Sequence, residues 1–551
     1  MKNYNYLLIL VALAAFSCAK LTETPKSFLT QQQFYKTPTD AQQAVTACYF
    51  WLNDGDASTP GGSVNQTPYN VLFSTGMEMM TDEIDPGPGA TNPDVRSQSV
   101  LQHNSSGLRV LQIWQFHYAA IKDCNIIIDT IHTIPFGTQT ALKHQYKAEA
   151  RVLRALWYFN LVRLYGQVPL VLHVQDIYNE AAIQVFRSPV DTVYAQIIRD
   201  LTYGVDSLPT SYVGANVGRV TKGAALSLLS KVYLTQKNWA LAASTAEEVI
   251  TGPYGYSLQT NYPQVFLPAY KNNSETILAA QFKANSQGQG NGNSPRGFRN
   301  GVPGYTASYA DQLRYYYADT GIAPNTGIDK FFSLYKLYNK NDQRRGLGGV
   351  LGGAFVTKIL GSDDNYYSTL NAKGDTVPFL NKYFDPSVGS QLSESGANVH
   401  VIRFAEVLLI AAEAENEQGN IATAAGYLDQ VRQRANNNTP NPIDYSVLSL
   451  VQFRDSVYLE RRRELVWEWQ RWFDLIREIG DPNEPAPVIV NGYGTGQALT
   501  FSSQGDPQGG LLLNSLHLVG KESAQSPKHY LFPIPLQEIQ LNPNLTQNPD
   551  W

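Results

Sequence analysis

A chain of 551 residues is long enough for one large core or for two or three packed units. Its net charge of −5, with no basic stripe, excludes nucleic acid as the natural partner. Three cysteines in that length exclude a disulfide framework, while 33 tyrosines supply flat apolar faces with polar tips, useful in a core and on a recognition surface alike.

At the N-terminus Lys2 is followed by an apolar stretch, residues 7–16 (LLILVALAAF). That is the length of a signal-peptide core and too short for a permanent membrane helix. The stretch runs into Ala14-Ala15-Phe16-Ser17-Cys18, small residues ending at a cysteine. A plain secretory signal with an incidental cysteine is the blander reading. The sharper one is a bacterial lipobox: residues 1–17 are a lipoprotein signal peptide, Cys18 is diacylated, and residues 18–36 form a polar, lipidated tether. Several acyl chains hold a protein where one is marginal, since each buried methylene contributes about 0.8 kcal/mol. Ala19 offers no acidic retention signal, which points to the outer membrane. Beyond residue 20 no apolar run could span a bilayer, so the membrane is touched through the lipid anchor only.

Helical periodicity begins at 41–52, with Ala44, Val45, Cys48, Tyr49 and Leu52 on one face. Residues 53–107 are rich in Gly, Pro, Asn and Ser, with 72–84 apolar enough for one short helix. The stretch is too long for a mere connection, and long loops in compact domains tend to be functional. Helices are expected at 108–131, at 140–165 (stopped by Gly166), and at 189–208 (entered at Pro189). A hairpin follows over 222–234 and 239–250, closed by Gln236-Lys237-Asn238. Residues 285–304 are a Gly/Asn-rich loop leading into an aromatic segment that ends at Tyr338, and 346–353 is a glycine cluster. Helices return at 401–418, 422–436 and 448–479, and the proline-bearing tail 530–551 is extended. The expectation is a mainly α fold of TPR-like helix pairs plus an irregular, loop-rich region, without a clean TPR period of about 34 residues.

The densest constellation is 460–477. Glu460, Glu464 and Glu468 recur every four residues and would line one side of a continuous helix. Three aligned carboxylates could hold a metal or do acid–base work. Arg461, Arg463 and Arg471 stand beside them, however, and carboxylates so surrounded are more often ion-paired across helices. Glu460, Arg461, Glu464, Glu468, Arg471 and Asp474 therefore read as a structural ion lattice, with no metal. No Walker loop, HExxH, CxxC or GxSxG is present, and no histidine pair has ligand spacing. The chain reads as a non-enzyme with no cofactor. A glycosidase, which needs two carboxyls about 5 Å or about 6.5–9.5 Å apart, stays open as a minor alternative. Cys48 and Cys124 are either one disulfide or two buried thiols.

The better functional candidate is aromatic. Tyr305, Tyr309, Tyr315 and Tyr316 crowd beside the Gly/Asn loop, with Arg296, Arg299 and Arg314 interleaved. Aromatic faces stack on the C–H face of a sugar while Arg, Asn and Asp bond its hydroxyls; the same surface could grip an extended peptide. Asp82, in an acidic knot with Glu83 and Asp85, is either part of this site or a solvated turn. The candidate ligand residues are Asp82, Arg296, Tyr305, Tyr309, Arg314, Tyr315 and Tyr316.

The motifs in their order carry a family likeness. After the lipobox come Asp40-Ala41-Gln42-Gln43-Ala44-Val45, then Trp114 with Tyr118-Ala119-Ala120-Ile121 and Asn125. Ala148-Glu149-Ala150-Arg151-Val152-Leu153-Arg154-Ala155 follows, then Gly218-Arg219-Val220-Thr221-Lys222. Last are Arg403-Phe404-Ala405-Glu406, the 460–477 run and Tyr530-Leu531-Phe532-Pro533. Together they resemble the SusD/RagB family of outer-membrane nutrient-capture lipoproteins. The resemblance implies an N-terminal region over 37–270 with TPR-like helices and a C-terminal region over 271–551 with variable ligand loops at 285–353. It implies surface exposure and capture of an oligosaccharide or polysaccharide, with peptide capture as the alternative. It also implies a partner, a SusC-like TonB-dependent outer-membrane transporter over which the protein sits as a lid.

Overall fold

The computed structural model describes residues 34–53, 67–81, 92–99, 101–176, 178–283, 338, 342–344, 355–359, 376–380, 382–383, 395–479 and 527–551. Helices dominate them. Helix α1 (Pro38–Asn53) is opened by a reciprocal cap in which Thr37 N donates to Asp40 Oδ2 at 2.8 Å and Asp40 N to Thr37 Oγ1 at 3.2 Å. Then come α2 (Leu108–Thr130), α3 (Thr140–Tyr165), α4 (Val190–Ser207), α5 (Lys222–Thr235) and α6 (Trp239–Thr251). Gly166 ends α3 at φ +70°, a left-handed position that glycine occupies without strain. Side-chain caps from Thr221 and Asn238 start α5 and α6. After the loop-bearing segment the helices are α7 (Phe404–Glu417), α8 (Ile421–Ala435), α9 (Leu450–Leu465) and α10 (Arg471–Ile479).

From α2 to α8 each helix packs on the next, including α6 against α7, so the array continues across the long insertion between them. The fold is thus mainly α, built of helix pairs as the periodicity predicts. Gly204 sets the closest approach: a Cβ there would collide with the Val152 side chain of α3. Charge also ties the array together. Arg154 on α3 grips Asp200 on α4 through Nε at 2.8 Å and Nη2 at 2.9 Å. Glu149 on α3 accepts from Tyr49 Oη at 2.7 Å and Arg219 Nη1 at 2.8 Å. These contacts give the Ala148–Ala155 and Gly218–Lys222 motifs a structural reason: both supply partners for buried charge.

Four sequence expectations need correction. The helix expected at 401–418 begins later, because Val399–Arg403 is strand β6, antiparallel to β3 (Thr276–Ala280) with Leu278 opposite Ile402 and Ala279 opposite His400. The β-branched Val399, Val401 and Ile402 favour that pairing over a helical first turn. The helix expected at 448–479 is broken into α9 and α10, with residues 466–470 between them in a turn. The stretch 53–107 contains the helix Pro93–Ser99 and, at Pro68–Met80, three short helical pieces in place of one.

The tail 530–551 is not simply extended. It has a short helix at Leu536–Leu541 and docks on the end of α3, with Phe532 N donating to Leu164 O at 2.6 Å and Asn548 Nδ2 to Tyr165 O at 3.0 Å. The remaining strands form two antiparallel ladders, β1 (Val168–Pro169) with β2 (Arg187–Ser188), and β4 (Phe355–Ile359) with β5 (Thr376–Leu380). Cys48 and Cys124 are free and buried.

Candidate functional site

The turn between α9 and α10 is the key to the C-terminal half. Trp467 and Trp469 both sit at positive φ, +60° and +57°, a conformation costly for large side chains and tolerated only where packing over-determines it. Both indoles are buried. Trp467 N donates to Glu78 Oε1 at 3.1 Å and Trp469 Nε1 to Ser74 Oγ at 3.1 Å. The turn is thereby clamped to the short helical pieces that precede residue 82.

The same turn re-aims Glu468. It is not on a helical face with Glu460 and Glu464, as expected for a continuous helix, yet its carboxylate enters the same buried cluster. Arg403, at the junction of β6 and α7, gives Nη1 to Glu464 Oε1 at 2.6 Å and to Glu275 Oε1 at 2.6 Å, and Nε to Glu468 Oε2 at 2.8 Å. Arg344 bonds Glu460 at 2.6 Å, Glu464 at 2.7 Å and Asp342 at 2.7 Å. Arg434 pairs with Glu464 and Glu275, Arg432 with Glu460 at 3.0 Å, and Lys382 with Glu468. Arg461 forms a separate bidentate pair with Asp474, at 2.8 and 2.9 Å, and Arg471 is buried nearby.

Burial alone would raise these carboxyls; the guanidiniums overcome it. Glu460, Glu468 and Asp474 are held down at about 2, and Glu464 well below the usual range. An acid–base catalyst works with a pKa near the ambient pH. Carboxylates held this low act as fixed anions, and among the described residues no group of His, Cys, Asp and Glu has a metal-binding arrangement.

The ends of several described segments are tied together close to the lattice. Asn53, where α1 ends, donates Nδ2 to Gln281 O at 2.9 Å, and Gln281 follows β3. Phe282 N donates to Asn398 Oδ1 at 3.0 Å, just ahead of β6. At the far side of the insertion, Tyr338 Oη donates to Arg463 O at 2.7 Å, and Arg344 enters the lattice. The points where the chain departs toward 54–66, 82–91 and 284–337 are therefore held on one frame of β3, β6 and the α9–α10 turn. Asp82, Arg296, Tyr305, Tyr309, Arg314, Tyr315 and Tyr316 lie outside the described residues, as do Cys18, the tether and the 346–353 cluster. Of the aromatic segment, Tyr338 is described, and it is a buried core ring.

The lattice partners Glu275, Asp342, Arg344, Lys382, Arg403, Arg432 and Arg434 went unassigned in the sequence, because they come from five separate stretches with no local pattern. Arg403 was marked by its motif alone. A second feature, a groove of about 540 Å³ between α2 and the tail, is lined by Trp51, Trp114 and Tyr118. Its polar tips are committed internally: Trp51 Nε1 donates to Asp123 at 2.8 Å and Tyr118 Oη to Pro169 O at 2.8 Å.

A mainly helical array of packed pairs, with a buried ionic frame joining β3, β6 and the α9–α10 turn, defines the class of fold. Within that class the chain belongs to the SusD family, whose model matches residues 274–551, and a second model, "starch-binding associating with outer membrane", matches residues 33–234. The SusD-like protein P25 of Formosa agariphila is 26% identical over 583 aligned positions, covering 100% of this chain and 98% of its own. A SusD homolog from Bacteroides thetaiotaomicron has the same fold at TM-score 0.68 and 23% identity, over 97% of this chain and 100% of its own. So does surface glycan-binding protein A from the same organism, solved with laminarihexaose, at TM-score 0.63 and 20% identity over 93% and 100%.

Proposed function

We propose that this protein captures an oligosaccharide or polysaccharide at the cell surface, without chemistry, and delivers it to a SusC-like TonB-dependent transporter. In this reading Cys18 carries the lipid anchor in the outer membrane, and residues within 60–105 and 285–353 carry the ligand. The observation that carries it is family membership, with models matching residues 33–234 and 274–551, together with a protein of the same fold solved in complex with laminarihexaose. Two features agree. The clustered carboxylates are locked as anions by arginine, which suits a frame and not a hydrolytic pair. The segments richest in exposable tyrosine, asparagine and glycine start and end on that frame. Stacking on tyrosine with hydroxyl recognition by Arg and Asp is the chemistry expected of the site. Among the described residues no helix is long and apolar enough to cross a membrane.

Isothermal calorimetry of the Cys18→Ala chain against a panel of neutral and acidic polysaccharides, a peptide pool alongside, tests it. Binding to at least one glycan, lost on changing Tyr305, Tyr309, Tyr315 and Tyr316 together to Ala, is the expected result. Binding to peptides with none to glycans would replace glycan capture by peptide capture.

A further inference from the structure

A cavity of about 210 Å³ lies where α3 and α5 meet α9 and α10, and basic side chains from all four helices line it: Arg163, Lys231, Arg461 and Arg477. Three of them have carboxylate partners. Lys231 Nζ lies 2.7 Å from Glu406, Arg461 chelates Asp474, and Arg477 pairs with Glu413. Arg163 has none among the described residues. Its Nε donates to Phe159 O at 3.1 Å and its Nη2 to Asn160 Oδ1 at 2.7 Å. Its plane is held between two rings, 3.8 Å from the Phe159 centroid and 3.6 Å from that of Phe473. The side chain is rigidly aimed, its Nη1 has no partner among the described residues, and no carboxylate neutralises it.

Arg461 lines the same cavity; it is 2% exposed, and its buried Nη1 has no hydrogen-bond partner among the described residues. A buried guanidinium N–H left unbonded is expensive, and an ordered water or a bound ion can satisfy it. The contrast with the ionic frame is sharp. Arg344 and Arg403, ringed by carboxylates, are raised well above their ordinary value, whereas burial pulls Arg163 down to about 10.

We propose that this cavity is a binding site for one small oxyanion, held by Arg163 and Arg461, that cross-links the N-terminal helices to the α9–α10 pair. The shared chemistry is a charged group with two or three acceptor oxygens, which matches guanidinium forks. A free inorganic ion and the acidic group of a saccharide are its two sources. The proposal stands independently of the proposed glycan capture.

Calorimetry with inorganic phosphate, and separately with glucuronate, on the Cys18→Ala chain at constant ionic strength set with sodium chloride decides the matter. One phosphate per chain is expected, with a thermal midpoint that rises and saturates at millimolar phosphate. Arg163→Gln should weaken that binding about tenfold, the value of one charge-assisted hydrogen bond, and Arg163→Lys should fall between. Glucuronate binding without phosphate binding assigns the site to a saccharide acid, and phosphate binding assigns it to a structural ion. No heat from either anion, or a midpoint that rises equally in wild type and Arg163→Gln, overturns the proposal, since that is general salt exclusion. If Arg163→Gln does not fold, judged by circular dichroism, the wild-type stoichiometry still decides.

Discussion

Glu464 accepts from Arg344, Arg403 and Arg434 at once, and each of these arginines is itself buried. A buried pair contributes little net stability against a well-packed apolar substitute, but removing one partner strands the others. Glu464→Gln leaves the guanidiniums undercompensated and should cost about 3–5 kcal/mol, read as a lowered urea midpoint with an unchanged slope. The pH dependence has the same origin. Glu460, Glu468 and Asp474 fall from ordinary values near 4 to about 2 on folding, so between those values the unfolded chain holds protons the folded chain lacks. Buried His103 and His400, lowered to about 3, and His117, lowered to about 4, act in the same sense from 6.5 downward. The stability that these carboxyls and histidines contribute is therefore full above about 6.5 and lost as pH falls toward 2. Thermal midpoints measured from pH 8 to pH 3 should decline monotonically, and a midpoint that rises on acidification contradicts the assignment. At this scale the carboxylates were legible, since a run of Glu among Arg advertises ion pairing. Their partners were not, because Glu275, Asp342 and Arg403 join them only through the tertiary fold.

At the scale of elements, apolar periodicity located the helices α1 to α8 closely, and it failed where tertiary contacts overrode local preference. Val401–Arg403 has helix-compatible spacing but is claimed by β3. The run through Trp467 and Trp469 is periodic as a helix, yet both residues take left-handed backbone because Glu78 and Ser74 capture their donors. No pattern within 460–477 encodes a partner nearly four hundred residues away. Packing between helices gives a separate prediction. Gly204 lies against Val152 with no room for a Cβ, so Gly204→Val should destabilise by about 1–3 kcal/mol through overpacking, measured by urea denaturation. Gly166→Ala, at positive φ and against Leu531, should destabilise through backbone strain, and the same assay reads it.

At the scale of the whole molecule, the protein is a helical scaffold whose buried ionic frame joins β3, β6, α8 and the α9–α10 turn. The family and the helical class were legible from ordered motifs spread along the chain; the candidate ligand residues were legible only as composition, because aromatic rings do not declare in sequence which of them face solvent. Anchoring gives one prediction: wild type partitions with membranes and the detergent phase, and Cys18→Ala is released to the soluble fraction. The central claim is glycan capture by loops set on a rigid frame. Affinity electrophoresis through gels cast with a panel of polysaccharides tests it most directly. Retardation by at least one polysaccharide is expected. The Tyr305, Tyr309, Tyr315 and Tyr316→Ala variant should lose it while keeping the wild-type thermal midpoint. Migration unchanged by every polysaccharide, or retardation that survives those four substitutions, would contradict the account.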